Sequence, residues 1–528
     1  MLKLSKVVTI LVAMMLFVTP VLAASTPDQW PSAGNDLNNT HYQQNTSLKA
    51  QKIGGLQVQW AFTTGGDVSA TPSVDENNIY FPDWGGNLWA VNRTTGQAVW
   101  NAKIASYTGL AANPTYHLTA DIARDTPTIA GDLLILGDQA GYHGGQLGYV
   151  LAVNKNTGAL VWKTAVGGVF TILTQSPVVD NGTVYIGTAS SEEAYEGFIP
   201  GYPCCSARGS LYALDLATGA VKWQTYMAPA GYSGNSVWGS TPVIDHKRNS
   251  VYVTTGNNYS IPAAAQACVV AANGDPSATK ACIDPSNYTD SVVSLDLTTG
   301  KVKWASAGIP YDSFNLDCFP TLLPPGYIVN PTNCKAPAGP DYDFAQGAML
   351  YSRNGQDYLA AGQKSGEFWA FNPDNGAVLW KTQAAPGGVG GGLEWGSSTD
   401  GKSIFFASAN TLHRPWTVNG NTITSGNWGA LDAATGAILW QTADPTSSAT
   451  DPAAVSSING VLFACSQDAA GHMYAMDSAT GKILWSFASG GSCNAGPAIA
   501  GGNVYWGSGY SNFGNGTGNN KIYAFSVK

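Results

Sequence analysis

Apolar positions along this chain fall in short runs separated by polar turns, and one run–turn–run pattern keeps returning: A-x-(D/N)-x-x-(T/N)-G-x-x-x-W, with small variations. The copies are AVNRTTGQAVW ending at Trp100, AVNKNTGALVW at Trp162, ALDLATGAVKW at Trp223, SLDLTTGKVKW at Trp304, AFNPDNGAVLW at Trp380, ALDAATGAILW at Trp440 and AMDSATGKILW at Trp485. Each predicts a strand, a tight turn and a second strand. Residues such as Leu211 and Tyr212 suit a pleated strand, and the T-G pair supplies a hydroxyl and a positive φ for the bend. The tryptophan then closes the second strand against the next sheet. Successive tryptophans lie 45 to 81 residues apart, the range of four-stranded propeller blades with loops of variable length. The chain ends in IYAFSVK, the first half of an eighth copy, and GLQVQW ending at Trp60 reads as its missing second half. Ring closure by the N-terminal strand leaves no open sheet edge. The expected fold is therefore all-β: an eight-bladed propeller of four-stranded antiparallel blades.

Composition narrows what such a ring binds. The 528 residues include 62 glycines and 17 tryptophans, with only 11% charged residues, enough for one large β domain with glycine-rich turns. A net charge of -9 without a basic run argues against nucleic acid or an anionic membrane surface and favours a small or neutral ligand. Residues 1–23 read as a signal peptide: Lys3 and Lys6 precede the apolar run Val7 to Val18, Pro20 breaks it, and Val21-Leu22-Ala23 precedes Ala24. The run is short for a spanning helix. The mature domain, 24–528, is expected in the periplasm or outside the cell, without membrane insertion.

Eight cysteines in an exported chain point to disulfides. Sequence neighbourhood suggests Cys268 with Cys282 and Cys318 with Cys334, each stapling a long insertion, and Cys465 with Cys493 tying strands of the seventh blade. No C-x-x-C-H occurs, so covalent haem is not expected, and the six histidines do not fall at zinc-ligand spacing with the cysteines. Cys204 and Cys205 stand apart because they are adjacent. Their α-carbons lie about 3.8 Å apart across a trans peptide, shorter than disulfides prefer, so the pair is either a vicinal bridge at a functional site or two separate thiols.

Several loops resemble those of the quinoproteins of the methanol dehydrogenase type, eight-bladed propellers that hold pyrroloquinoline quinone (PQQ) and a calcium or lanthanide ion; the polyvinyl alcohol dehydrogenase-like branch is the most similar. GTASSE resembles the segment whose glutamate ligates the metal, which implies that role for Glu192. VWGS puts Trp238 where the family's tryptophan lies beneath the quinone, and TTGN puts Asn257 at the second metal ligand. By the same resemblance Arg124 in IARDTP, Thr174 in LTQSP, Lys364 in GQKSG and Asn410 in SANTLHRPW contact the cofactor. The chemistry is consistent: a flat aromatic tricarboxylate takes an indole to stack on and cations for its oxygens, and a hard ion takes oxygen donors.

Three departures shape the expectations. Matching IPYDSFNLDC to the family's catalytic segment puts Asn315 at the aspartate's position, and an amide cannot accept a proton; Asp312 is then ranked ahead as base, with Asp317 as base or metal ligand. Ser69 in VSATP stands where the family has a glutamate. The vicinal cysteines follow the Glu192 loop instead of lying beside the quinone-binding arginine, although YPCCSARGS resembles the polyvinyl alcohol dehydrogenase-like branch; from there Cys204 and Cys205 are expected at the cofactor cavity. The resemblance implies a PQQ-dependent alcohol dehydrogenase, acting on a small or polymeric alcohol and passing electrons to a separate cytochrome c-type acceptor. The alternatives are a non-catalytic propeller scaffold of the outer-membrane assembly type, which shares the repeat, and a quinoprotein that has lost activity through Asn315.

Overall fold

The repeated turn locks each blade to the next. At the turn the Asp or Asn side chain folds onto the following backbone: Asp296 Oδ1 accepts from the amides of Thr298 (3.1 Å) and Thr299 (2.9 Å) and from the Thr299 hydroxyl (2.9 Å), and Asp432 and Asp477 repeat the arrangement. The glycine takes a positive φ, +69° at Gly300, and a Cβ there would stand 2.5 Å from the Trp223 ring of the preceding blade. The tryptophan indole donates to a carbonyl of the following blade, as in Trp100 to Lys155 (2.9 Å), Trp162 to Leu216 (2.9 Å), Trp440 to Ser478 (3.0 Å) and Trp60 to Arg93 (3.1 Å). Glycine and tryptophan of the motif are thus two halves of one inter-blade contact.

In the computed structural model, which describes residues 28–528 apart from 113–118, 144–145, 200, 240, 320–327, 513–515 and 528, these contacts join eight four-stranded antiparallel blades. The first blade consists of Ser73–Val74, Asn78–Pro82, Asn87–Asn92 and Ala98–Lys103 in spatial order. In the eighth, Ala498–Ala500, Asn503–Ser508 and Lys521–Val527 are completed by the N-terminal strand Leu56–Thr63, in register from Leu56 opposite Val527 to Thr63 opposite Lys521. The expected ring closure is borne out. The expected signal peptide, residues 1–23, lies outside the described residues. No helix among the described residues is long and apolar enough to cross a membrane.

Disulfides join Cys268 to Cys282, Cys318 to Cys334, Cys465 to Cys493 and Cys204 to Cys205. The first joins two helices, Ala263–Ala272 and Pro276–Cys282, inserted in the fourth blade. The Cys465–Cys493 bridge differs in detail from the expectation: it ties the second strand of the seventh blade to the segment entering the eighth, not two strands of one blade.

The chain before the first blade has a role that no sequence signal announced. Residues 30–43 cross the axis and bond to the inner strands of six of the eight blades: Trp30 pairs with Val74, Pro31 accepts from Ile129, Leu37 from Ile244, Asn38 from Leu350, Thr40 from Thr399 and His41 from Ser457. These partners are inner-strand residues, so the segment plugs one end of the central channel.

Candidate functional site

The other end of the channel is where the chemistry collects, and blade geometry says why. In an antiparallel blade the residues just before the first strand and just after the second lie at the same end. Arg124, Thr174, Trp238, Asp343 and Trp395 precede first strands; Trp84, Glu193, Asn257 and Lys364 follow second strands.

At the centre stands Lys364. Its ammonium lies 3.0 and 3.1 Å from the Asp341 oxygens and 3.0 Å from Asp343 Oδ2. Burial alone would lower its pKa, but Asp341, Asp343 and Glu394 outweigh it and hold Lys364 charged. Asp343 is fixed by two further donors, the Trp238 indole N–H at 3.0 Å and the Asn257 amide at 2.7 Å. Trp238 carries the Lys364 ammonium 5.3 Å from its ring centroid and meets Trp395 edge-on at 5.3 Å. The Arg124 guanidinium lies 5.1 Å from the Trp395 ring and 5.3 Å from Trp84. Burial pushes Glu193 and Glu394 up to about 7, against the pull of Lys364. Four acids, Glu193, Asp341, Asp343 and Glu394, thus act on Lys364, while Arg124 is the second cation in their field. Acids outnumber cations here, but burial holds Glu193 and Glu394 near 7, so both are only partly ionised at neutral pH.

Beneath Arg124 and Trp395, toward the plug, lies a cavity of about 60 Å³ lined by Ser69, Thr174, His41 and Asn494 among others. Thr174 Oγ1, both His41 ring nitrogens and Asn494 Oδ1 have no protein partner there. Unpaired buried polar atoms in a space of that size are what a bound polar group or water satisfies.

Of the residues singled out in the sequence, Arg124, Thr174, Trp238, Asn257 and Lys364 line this end of the channel. The others are occupied differently. Glu192 is fully buried, and its carboxylate accepts from Tyr202 Oη (2.7 Å), the Ser206 hydroxyl (3.0 Å) and the amides of Ser206 (2.8 Å) and Ala207 (2.7 Å). It holds the loop that carries the vicinal disulfide, while the neighbouring Glu193 is the carboxylate that feels Lys364 and Asp343. Cys204 and Cys205 are half-buried; Cys204 N donates to Asn333 Oδ1 (3.2 Å) and Cys205 O accepts from the Ser260 hydroxyl (3.3 Å). Asn410 is buried and donates to the carbonyls of Arg414, Thr424 and Ser425, clamping its own loop.

Asp312, ranked first as base, is wholly buried. It accepts from the amides of Tyr342 (2.7 Å) and Asp341 (3.3 Å), and burial raises its pKa to about 6 beside Asp290. It supports the backbone that presents Asp343. Asp317 accepts from Asn330 N (2.9 Å) and Asn333 Nδ2 (3.0 Å), and Asn315 donates to the carbonyls of Tyr259 and Asn333. These three hold loops together. Ser69, where a glutamate was expected, accepts from the Trp84 indole at 2.8 Å; Glu394 brings a carboxylate to Arg124 instead.

Asp343, Glu193 and Glu394–Trp395 escaped the sequence reading. A signal existed for the last: EWGSS repeats the VWGST of Trp238. For Asp343 it was fainter, because PDYDFAQGAM lacks the T-P or S-P that marks the inner strands of blades one to four.

A family model, PQQ_2, described as outer membrane protein assembly factor BamB, matches residues 58–306 and 424–528. The chain belongs to this family. Among relatives of this PQQ_2 protein, a polyvinylalcohol dehydrogenase of a Pseudomonas species is 29% identical, covering 93% of this chain and 75% of the relative. The polyvinylalcohol dehydrogenase of Sphingopyxis sp. (strain 113P3) is 28% identical, covering 95% and 76%. Its fold matches the crystal structure of quinohemoprotein alcohol dehydrogenase from Comamonas testosteroni, with a TM-score of 0.68 at 18% identity over 96% of this chain and 81% of that one. A europium-containing methanol dehydrogenase matches with a TM-score of 0.66 at 15% identity over 95% and 99%.

Proposed function

We propose that this PQQ_2 protein is an exported PQQ-dependent alcohol dehydrogenase, with Asp343 as the base and a divalent oxygen-seeking ion, calcium first, beside it. The observation that carries the reading is the convergence of Asp343, Lys364 and Trp238 within 3.0 Å contacts at the end of the channel where Arg124 and two further indoles also gather. The residues fit the groups. Trp238, Trp395 and Trp84 offer aromatic faces, and Arg124 and Lys364 offer cations for carboxylate and quinone oxygens. Glu193 and the Asn257 side chain, whose nitrogen is committed to Asn258 O and Phe314 O, offer oxygen donors of the kind a hard ion selects, and a bound cation would draw Glu193 into its carboxylate form. When bound, the quinone is the two-electron acceptor and the ion its Lewis acid.

The chain's own part is positional. Asn257 N, Trp238 Nε1 and Lys364 Nζ fix the plane of the Asp343 carboxylate and leave it one lone pair with which to take the proton of a substrate hydroxyl. Lys364 stays charged and keeps a cation beside the oxygens on which negative charge gathers. The indoles exclude water. Electrons then leave to a separate soluble acceptor of cytochrome c type.

The family's description as an assembly factor fits a second reading, a scaffold without a cofactor. A scaffold has no use for a buried lysine caged by acids at the mouth of its channel. The degenerate-enzyme reading rested on Asn315, and the carboxylate that reaches this site is Asp343. The test is reconstitution: purified protein with PQQ and calcium should gain quinone absorbance and reduce a dye when given an alcohol, and absence of quinone binding would overturn the reading.

A further inference from the structure

Buried aspartates meet in pairs at three places in this fold, and one of the three is unlike the others. In the first, Asp121 Oδ2 and Asp138 Oδ2 face each other without a donor; in the second, both oxygens of Asp290 are bare beside Asp312, whose own oxygens accept from the Asp341 and Tyr342 amides. Each of these pairs has two bare oxygens, and one shared proton closes it. The third pair is Asp444 with Asp451. Asp451 is wholly buried and neither of its oxygens meets a donor, while Asp444, 4% exposed, has a donor only on Oδ1, from Thr446 N at 2.6 Å. Three carboxylate oxygens are therefore bare. No lysine or arginine among the described residues forms an ion pair with either acid.

These oxygens converge between blades six and seven. Asp444 follows the outermost strand of blade six, Ile438–Ala443, and Asp451 precedes the inner strand of blade seven, Ser456–Ile458. Asp451 faces Asp444 and the hydroxyl of Ser466, the residue after the second strand of blade seven, Val461–Cys465. Gly426 makes the room: a Cβ there would collide with Asp451 Oδ2 and stand 2.6 Å from Ser408 O, so a carbonyl oxygen lies beside the carboxylate. The surrounding backbone holds the set in place, with Gly426 N donating to Ala449 O at 2.8 Å, Gln467 N to Thr450 O at 3.0 Å and Asp468 N to Ser466 Oγ at 3.0 Å. Asp468 adds a third acid at the side, its own oxygens taken by His472 N (2.9 Å), His472 Nδ1 (2.5 Å) and the Thr446 hydroxyl (3.2 Å).

We propose that Asp444, Asp451, Ser466 Oγ and the Ser408 carbonyl bind a divalent, oxygen-seeking cation of the calcium class, a structural ion that ties blade six to blade seven and is separate from the ion at the channel mouth. Two buried carboxylates facing each other are costly unless a cation compensates them, and together they balance a divalent charge. The donors are all oxygens, which select a hard ion over zinc or copper. Calcium accepts an irregular mixture of carboxylate, hydroxyl and carbonyl oxygens, whereas magnesium demands near-ideal octahedral geometry.

The experiment measures calcium binding by chelator-stripped, cofactor-free protein, so its outcome is independent of whether any alcohol is oxidised. E193Q, in which the channel-mouth ion is weakened, should still bind about one calcium per chain in equilibrium dialysis, and its Tm should rise by about 2–3 °C with calcium about 100-fold above its Kd. E193Q/D451N should bind none and show no rise. Asparagine matches the shape of the carboxyl it replaces, and E193Q/D444N reaches the same result from the other ligand. Absence of calcium on E193Q, or calcium retained by either double variant, overturns the site. A D451N that melts at or above the wild type, with no calcium response in either, identifies the pair as the holder of a shared proton and overturns it as well.

Discussion

Replacing Asp343 by asparagine is the sharpest test of the site, because the structure separates its cost to folding from its cost to chemistry. The carboxylate accepts from Asn257 N at 2.7 Å, Trp238 Nε1 at 3.0 Å and Lys364 Nζ at 3.0 Å. An amide keeps one oxygen but must turn its NH2 toward one of these donors, leaving a buried donor unmet at a cost of about 1–3 kcal/mol. Lys364 does not become an orphaned charge, since Asp341 remains at 3.0 and 3.1 Å; the larger penalty of a broken buried pair, about 3–5 kcal/mol, is avoided. The variant should fold with a modestly lower Tm. Loss of the proton acceptor should lower kcat by about 10²–10⁴-fold, equivalent to about 2.7–5.5 kcal/mol of barrier. The assay is dye-coupled turnover, normalised to quinone occupancy measured by absorbance. D312N is the control: the Asp312 oxygens serve the backbone amides of Asp341 and Tyr342, so it should lose more in Tm than in kcat per loaded molecule. A kcat for D343N within about tenfold of wild type at equal occupancy would refute the reasoning. A larger kcat loss in D312N would return the base to Asp312.

Adjacent glutamates should separate in the same way: E193Q should weaken calcium-dependent quinone binding at least about tenfold with little change in Tm, whereas E192Q, which disturbs a buried carboxylate held by four donors, should destabilise by about 2–4 kcal/mol, both read by calcium titration and thermal melts. Because burial raises Glu193 and Glu394 from about 4.5 to about 7, the metal-free fold binds extra protons in that window; the contribution of these two groups to stability is fully present below about pH 4.5 and is lost as pH rises through 7. Calcium affinity should rise over the same interval, and a Tm without such a slope would count against both assignments. G300A places a methyl group against the Trp223 ring at a φ of +69°, and urea unfolding should show a loss above about 1 kcal/mol; the neutral case would mean that the turn is free to shift.

What the sequence made legible was whatever the repeat encodes. The T-G turn and the following tryptophan imply a strand pair, and their copies imply a ring because glycine and tryptophan of successive motifs touch, as Gly300 and Trp223 do. The disulfides of the insertions followed from neighbourhood. Trp238 and Lys364 were readable through the resemblance of VWGS and GQKSG to the family's loops. Site residues were lost where the blade departs from its own pattern. Blade five has no proline before its inner strand, and matching the segment from Pro310 to Cys318 to the family's catalytic loop put the base among its aspartates, where we propose Asp343 instead. The choice between Glu192 and Glu193 was not a sequence question at all. It depends on which side of a four-residue helix, Glu192–Tyr195, faces the channel, and that is set by the Tyr202–Ala207 loop capturing one carboxylate and leaving the other turned toward Lys364.

The plug shows the same limit from the opposite direction. Residues 30–43 contain no motif, yet their carbonyls and amides complete the inner strands of most blades. Those inner strands are short, only Ser73–Val74 in the first blade and Ser398–Thr399 in the sixth, and their inward-facing backbone groups need partners once the channel is closed to water. A ring of eight copies cannot supply them, because each copy presents the same groups to the same axis. A non-repeating segment must. That is why the least patterned stretch of the mature chain seals the channel below the candidate site, and why His41 within it, its ring pushed down to about 4 by burial, faces the cavity beneath Arg124 as a neutral group. His41 therefore adds no charge to the cavity it shares with Arg124 and the buried Asp125.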